Sequence, residues 1–138
     1  MATRSTIWIK EGNKRIGVYC HFDGYLQGVG QTLLDYYSKI DKVKQLISHG
    51  AISALRENIC SIHPHNYQSP QKDTCIFYHR DRGEGLIIYE AAKIGDMNDY
   101  HEEYMYMFEN DQWQVKQYDG EFVSLKEAIK NEPSETYI

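Results

Sequence analysis

Residues 5–22 read STIWIKEGNKRIGVYCHF, and the pattern of this stretch predicts how the fold is built. Ser5–Lys10 and Arg15–Phe22 are rich in β-branched and aromatic residues, which favour strands. Glu11–Lys14, which joins them, has the composition of a tight turn. The stretch therefore predicts a β-hairpin.

Alternation along the second predicted strand sorts its side chains into two faces. Core side chains are expected at Ile16, Val18, Cys20 and Phe22, and the opposite face carries Gly17, Tyr19, His21 and Asp23. A carboxylate at Asp23, two residues from His21, could orient the imidazole for work as a general acid or base. The same polar and aromatic face would serve equally well as a hydrogen-bonded structural cluster or as a binding surface.

Two further hairpins are predicted downstream. The first joins Thr74–Arg80 (TCIFYHR) to Leu86–Ala92 (LIIYEAA) through a turn at Asp81–Gly85. The second joins Glu103–Phe108 to Gln112–Tyr118. Most of the expected sheet is therefore antiparallel, because hairpins pair neighbouring strands in opposite directions.

Both faces of Tyr104–Phe108 (YMYMF) are apolar. Such a strand is either central in the sheet and covered on both sides or part of an interface between two copies of the chain. The second alternative would make the protein a homodimer through this segment.

Three short helices are expected. The first covers Gln31–Ser38, and the second begins with Asp41 as its N-cap and ends at Gly50 in the C′ position. The third covers Leu125–Lys130, because Ser124 and Glu127 form the sequence pattern of a capping box (SLKE).

Length and composition fit one soluble domain. The chain has 138 residues, of which 41% are hydrophobic and 25% are charged. With the elements above, this predicts a single α+β domain over residues 1–130 and a polar acidic tail at residues 131–138. We find no run of about 18 apolar residues that would span a membrane, and no apolar run after Met1 that would act as a signal peptide. The three cysteines are well separated and odd in number, so reduced thiols and a cytoplasmic location are expected.

Charge is distributed unevenly along the chain. Residues 1–60 carry 8 Lys and Arg against 5 Asp and Glu, whereas residues 61–138 carry 7 against 15. An acidic half of this kind could steer a basic partner towards the protein, although solvated acidic loops would give the same pattern. Direct nucleic-acid binding is not expected, because we find no cluster of basic residues to displace counterions from phosphates.

Cysteine and histidine residues form one metal-like pattern, C-x2-H-x-H-x9-C-x3-H. It consists of Cys60, His63, His65, Cys75 and His79. Zinc binds such residues in a tetrahedron. Ordinary loop and core residues are the favoured interpretation, because the first two histidines flank a proline in a polar loop and Cys75 alternates with apolar neighbours. No metal or cofactor is therefore expected.

Two arginines flank a carboxylate in the sequence Arg80-Asp81-Arg82. Guanidinium groups recognise phosphate and carboxylate groups through paired hydrogen bonds, so this segment is a candidate site for an anion. The alternative is that Asp81 and Glu84 neutralise the two arginines in a rigid turn.

Five segments are distinctive when taken together: Arg4–Ile7 (RSTI), Tyr19–Tyr25 (YCHFDGY), Gly50–Leu55 (GAISAL), Tyr78–Glu84 (YHRDRGE) and Glu102–Phe108 (EEYMYMF). They resemble the motifs of a widespread family of small phage and prophage proteins. The chain departs from that family's usual tryptophan, aspartate and glycine at Phe22, Ala51 and His79, and the second departure makes a catalytic role at that position doubtful. The resemblance implies a phage or prophage origin and a host-cytoplasmic setting, and it implies no particular activity. The second and fourth segments carry the candidate binding residues Tyr19, His21, Asp23, Tyr25, Arg80, Arg82 and Glu84.

Two functions of different classes are compatible with these residues. The favoured one is a non-enzymatic accessory protein that binds a host protein or a small anionic, nucleotide-like ligand, and so counters host defence or redirects host metabolism. It fits the absence of common catalytic motifs and the 12 Tyr, 4 Phe and 2 Trp, which are efficient contact residues. The alternative is a small enzyme for a phosphorylated or nucleotide substrate, with His21 as acid or base and Arg80 and Arg82 holding the anion. A minor structural role in the virion has no positive sign in the sequence.

Overall fold

One mixed β-sheet organises the fold. The computed structural model describes residues 2–59, 73–97, 100, 102–118 and 120–131. The strands in these ranges are β1 (Ser5–Glu11), β2 (Lys14–Cys20), β3 (Ile52–Ala54), β4 (Ile76–Phe77), β5 (Tyr89–Ala91), β6 (Tyr104–Glu109), β7 (Gln112–Gln117) and β8 (Val123–Ser124). The helices are α1 (Gln31–Tyr36), α2 (Ile40–Ser48), α3 (Tyr78–Arg82), α4 (Ile94–Met97) and α5 (Leu125–Asn131), and a π-helical turn at Leu26–Gly30 leads into α1.

The sheet is mostly antiparallel, which confirms the predicted α+β class. Its strands lie in the order β4-β3-β2-β1-β6-β7-β8, and β5 also pairs with β2. The β1–β2 and β6–β7 hairpins are present as predicted. At the second of these turns Asn110 and Asp111 both have positive φ, the backbone conformation of the type I′ turn that is common in two-residue hairpins. The parallel pairs are β1–β6 and β2–β3.

The hairpin predicted over residues 74–92 is wrong. The end of the first predicted strand and the start of the predicted turn instead form helix α3 (Tyr78–Arg82), and the strands on either side of it pair with different partners. Asp81 favours the helix because its carboxylate accepts a hydrogen bond from the backbone N–H of Phe77 at 2.8 Å. Gly83, with φ of +72°, then ends the helix in the left-handed conformation that glycine adopts readily.

The sheet is covered differently on its two faces. On one face α1, α2, α5 and the π-helical turn bury the main core, which includes Ile7, Val18, Leu33, Leu46, Tyr106 and Val115. The other face has a smaller core of Trp8, Ala91, Met97, Met105 and Met107, with Tyr89, Tyr100 and Phe122 packed around it. Each large apolar side chain buried in this way contributes about 1.5–3 kcal/mol relative to leaving it exposed.

Strand β6 contributes side chains to both cores. Tyr104, Tyr106 and Phe108 belong to the main core, and Met105 and Met107 belong to the smaller one. All five are at most 6% exposed within a single chain. Tyr104–Phe108 is therefore a central strand that is covered on both faces, which is the first of the two predicted alternatives. Its side chains are buried within one chain and do not supply a surface for a homodimer.

The helix boundaries follow the sequence with small shifts. Helix α2 begins two residues earlier than predicted, so that Lys39 and not Asp41 is its N-cap, and Asp41 lies in the first turn, where the helix dipole favours a carboxylate. Gly50 has φ of +79°, as expected after a helix end. At α5 the backbone N–H of Glu127 donates to Ser124 Oγ at 3.4 Å, and the helix runs to Asn131, one residue into the predicted tail. The rest of that tail lies outside the described residues, and no helix within them is long and apolar enough to cross a membrane.

Candidate functional site

A gap in the strand pairing of β2 creates the candidate site. Strand β5 pairs with β2 at Arg15–Gly17, whereas β3 pairs with it at Cys20. Tyr19 therefore lies between the segments of β2 that these two strands cover. The cavity at this point has a volume of about 210 Å3 and is lined by Tyr19, Ala51, Tyr78, Glu84, Gly85, Ile87 and Tyr89. We call it the tyrosine pocket.

The tyrosine pocket brings together three of the distinctive sequence segments. Tyr19 comes from YCHFDGY, Ala51 from GAISAL, and Tyr78 and Glu84 from YHRDRGE. Of the seven candidate binding residues, Tyr19 and Glu84 line this cavity. The other five are not among the residues that line it.

His21 is bonded to a tyrosine rather than to the predicted carboxylate. Its Nδ1 atom lies 2.7 Å from the hydroxyl of Tyr19, and its ring packs edge-on against Phe22 at 4.5 Å between centroids. Asp23 has φ of +60° and accepts a long hydrogen bond from the hydroxyl of Tyr25 at 3.5 Å. Strand β2 ends at Cys20, so the alternation of faces does not continue to Asp23. For the same reason Phe22 is 40% exposed and not in the core where it was predicted.

Arg80 is a structural residue of the core. Its guanidinium donates two hydrogen bonds to the carboxylate of Asp81, at 2.8 and 3.0 Å, and its side chain is 5% exposed. It also donates to the backbone oxygens of Ile59 at 2.7 Å and Cys75 at 3.0 Å, and it lies 4.7 Å from the ring centre of Phe77. The prediction that Arg80 holds an anion is not supported by this geometry, because its charge and its donors are already used within the chain.

Arg82 lies on the surface next to the tyrosine pocket. Its Nε atom is 3.5 Å from Oε2 of Glu84, and its guanidinium is 5.0 Å from the ring centre of Tyr78. Both side chains of this ion pair are at least about a third exposed. Each arginine of the motif therefore has an acidic neighbour, as in the alternative interpretation, although Tyr78–Arg82 forms a helix and not the rigid turn of that interpretation.

Two tyrosines at the site, Tyr19 and Tyr89, have a raised pKa. Burial is the main cause that raises the pKa of Tyr19, and nearby Glu102 raises it further while Arg4 lowers it. Burial also raises the pKa of Tyr89, again with Glu102 as a second cause. Tyr19 and Tyr89 therefore present neutral phenol groups, and carboxylates at Glu84 and Glu102 lie close to them.

An apolar ridge borders the tyrosine pocket. Leu86, Ile87 and Ile88 are 51%, 55% and 42% exposed, and Ile87 also lines the pocket. Sequence reasoning missed the ridge because it assigned these residues to a strand of a hairpin, in which alternate side chains would be buried. It also missed Tyr89, whose position depends on the pairing of β5 with β2.

Basic side chains gather at a separate depression beside the β1–β2 turn. It has a volume of about 410 Å3 and is lined by Lys10, Gly12, Asn13, Arg15, Ala92 and Lys93. Lys10 is paired with Glu109 at 2.8 Å, and Arg15 donates to the backbone oxygen of Ala92 at 2.9 Å. Two of its three cations therefore already have partners within the chain.

The zinc pattern is only partly within the described residues, since Cys60, His63 and His65 lie outside them. Among the residues that the structure describes, no group of three or more His, Cys, Asp or Glu could hold a metal ion. Cys75 is buried with its sulfur 3.3 Å from the hydroxyl of Tyr37, and burial raises its pKa. His79 is bonded through Nδ1 to the backbone oxygen of Glu84 at 2.8 Å.

Compared with known proteins, the chain matches no family model, no curated protein and no solved structure. The resemblance to phage and prophage proteins stays a prediction, and any function must be inferred from the geometry of the site.

Proposed function

We propose that this protein is a phage-encoded accessory protein that acts in the host cytoplasm by binding a host protein. The contact surface would be the tyrosine pocket together with the ridge Leu86–Ile88. One observation carries the proposal: three consecutive large apolar side chains are exposed beside a concave cavity lined by three tyrosines. Exposed apolar patches next to tyrosine are typical of protein-binding surfaces.

Binding is favoured over catalysis by the state of the candidate catalytic groups. His21 is bonded to Tyr19, and Arg80 is buried against Asp81. The volume of about 210 Å3 is also below the range of about 300–1,000 Å3 that is typical of small-molecule sites, which disfavours a nucleotide as the ligand of the tyrosine pocket. A host protein is therefore a better candidate ligand here than a phosphorylated substrate.

The test compares two neutral polar substitutions on exposed apolar residues. Ile87→Ser removes an apolar side chain from the ridge without adding charge to the tyrosine pocket, and Val123→Ser, at a residue 49% exposed on β8, is the matched control. Wild-type protein and both variants would be immobilised and exposed to host lysate, and retained proteins would be identified by mass spectrometry. We expect a host protein that wild type and Val123→Ser retain and that Ile87→Ser loses at least tenfold.

Equal retention by the three proteins would contradict the proposal, because the ridge would then take no part in binding. Retention of nothing by wild type, at concentrations that detect micromolar complexes, would also contradict it. Circular dichroism of Ile87→Ser checks that any loss does not result from unfolding.

A further inference from the structure

We infer that the tyrosine pocket receives a positively charged side chain, a lysine or an arginine of the partner protein. The inference rests on the proposed function and adds the chemistry of recognition to it. It departs from the sequence prediction, in which the site would bind an anion through its own arginines.

The lining of the tyrosine pocket suits a cation. Tyr19, Tyr78 and Tyr89 line it, and aromatic ring faces attract ammonium and guanidinium groups. The ring of Tyr78 already has a cation of the chain itself near it, because the guanidinium of Arg82 lies 5.0 Å from its centre. Tyr89 is held in place by stacking on Tyr100 at 4.3 Å between centroids, so its ring needs little ordering on binding.

Carboxylates near the rings add electrostatic attraction. Glu84 lines the cavity, and Glu102 is close enough to affect the titration of both Tyr19 and Tyr89. The nearby cations include Arg82, which is paired with Glu84, and Arg4, which acts on Tyr19. The Arg82–Glu84 pair is exposed and 3.5 Å long, and pairs of this kind are weak, so a partner cation can compete for the Glu84 carboxylate.

The volume of the cavity fits the end of one side chain. A cavity of about 210 Å3 is smaller than the range of about 300–1,000 Å3 that is typical of sites for whole small molecules. The tyrosine pocket can therefore hold the ammonium or guanidinium group of one side chain together with its last methylenes. The ridge Leu86–Ile88 would contact the partner's surface around that side chain. The excess of acidic residues over residues 61–138, 15 against 7 basic, would steer a basic partner in the same direction.

The experiment uses small probes that differ chiefly in charge. N-acetyl-lysine methylamide and its neutral counterpart N-acetyl-norleucine methylamide would be titrated into the full chain at constant ionic strength. The readout is the shift of tyrosine ring resonances in 1H–13C NMR spectra. We expect the lysine probe to shift the signals of Tyr19, Tyr78 and Tyr89, and to bind at least threefold more tightly than the norleucine probe.

Three variants sharpen this measurement. Glu84→Gln should weaken binding of the lysine probe at least threefold, and Arg82→Gln should strengthen it, since the competing cation is removed. Glu90→Gln is the charge-matched control, because Glu90 is exposed and pairs with Lys14 away from the tyrosine pocket. These residues lie on the surface, so loss of folding is not expected to confuse the result.

Equal binding of the two probes, or equal effects of Glu84→Gln and Glu90→Gln, would overturn the inference. The proposed function would survive that outcome if Ile87→Ser still lost its host protein. The reverse pattern, in which the lysine probe binds but no host protein depends on Ile87, would overturn the proposed function and with it the assignment of the cation to a partner protein.

Discussion

The two halves of the stretch 78–88 lie in opposite surroundings although they follow each other directly. In the first half, Arg80 and Asp81 have buried side chains that are joined by two hydrogen bonds. In the second half, every residue from Arg82 to Ile88 is exposed. The distinctive sequence YHRDRGE therefore combines residues that stabilise the fold with residues that present a surface. The position of a residue within such a motif does not indicate whether the residue stabilises the fold or forms part of the exposed surface.

The largest expected effect tests the buried half. Replacing Arg80 by alanine leaves the Asp81 carboxylate buried without its counter-ion, and loss of one partner of a buried pair costs about 3–5 kcal/mol. The same change at Arg82, whose ion pair with Glu84 is exposed, should cost at most about 1 kcal/mol. Urea denaturation of the two variants gives the free energy of unfolding for each.

Equal losses in the free energy of unfolding for the two arginine variants would contradict the division of this stretch into a buried and an exposed half. In case Arg80→Ala is too unstable to purify, Arg80→Lys is a second variant that keeps the charge but not the paired hydrogen bonds. It should fall between wild type and Arg80→Ala if the geometry of the guanidinium matters.

Much of the fold could be predicted because its signals are local. The alternation in residues 5–22 and the Ser124–Glu127 capping box each depend on contacts within a few residues, and the β1–β2 hairpin and the cap at Ser124 are both present. The prediction for residues 74–92 is wrong because distant contacts decide their structure. Arg80 bonds to Ile59, 21 residues away, and β5 pairs with β2 instead of with β4.

The candidate site could be predicted only in part for the same reason. Tyr19 and Glu84 belong to distinctive segments, and both line the tyrosine pocket. Ile87 and Tyr89 escape sequence reasoning, since the cavity exists only where β3 and β5 both pair with β2. The charge of Arg80 makes it a candidate, but its burial depends on a carboxylate and two carbonyls that no local pattern reveals.

Contact with Gly50 holds the ridge Leu86–Ile88 against the rest of the chain, and alanine at Gly50 should disturb it. Gly50 has φ of +79°, and a Cβ at this position would lie 2.7 Å from Leu86 Cδ1 and 3.2 Å from the backbone oxygen of Ile87. Gly12 has φ of +60°, but a Cβ there would meet no atom within 4 Å. Alanine at Gly12 should cost about 1–2 kcal/mol from backbone strain alone. Alanine at Gly50 should cost about 1 kcal/mol more, because it also displaces the ridge.

Thermal or urea unfolding measures both glycine variants, and NMR spectra report whether the signals of Leu86 and Ile87 shift in Gly50→Ala. If both substitutions lower the free energy of unfolding equally, the ridge can move away from the new methyl group at no cost. The contact with Gly50 would then not hold the ridge in place.

The smallest expected effect concerns the ridge itself. Leu86 is 51% exposed, so Leu86→Ala should change the free energy of unfolding by no more than about 0.5 kcal/mol. Leu46→Ala, the same truncation at a fully buried residue of α2, should cost about 2–5 kcal/mol. A cost above about 1 kcal/mol at Leu86 would show that the ridge contributes to the core. A negligible cost would instead mean that stability does not require a large apolar side chain there, which leaves Leu86 available for contact with a partner. Leu86→Ala would then lower retention of the host protein while leaving the unfolding midpoint unchanged.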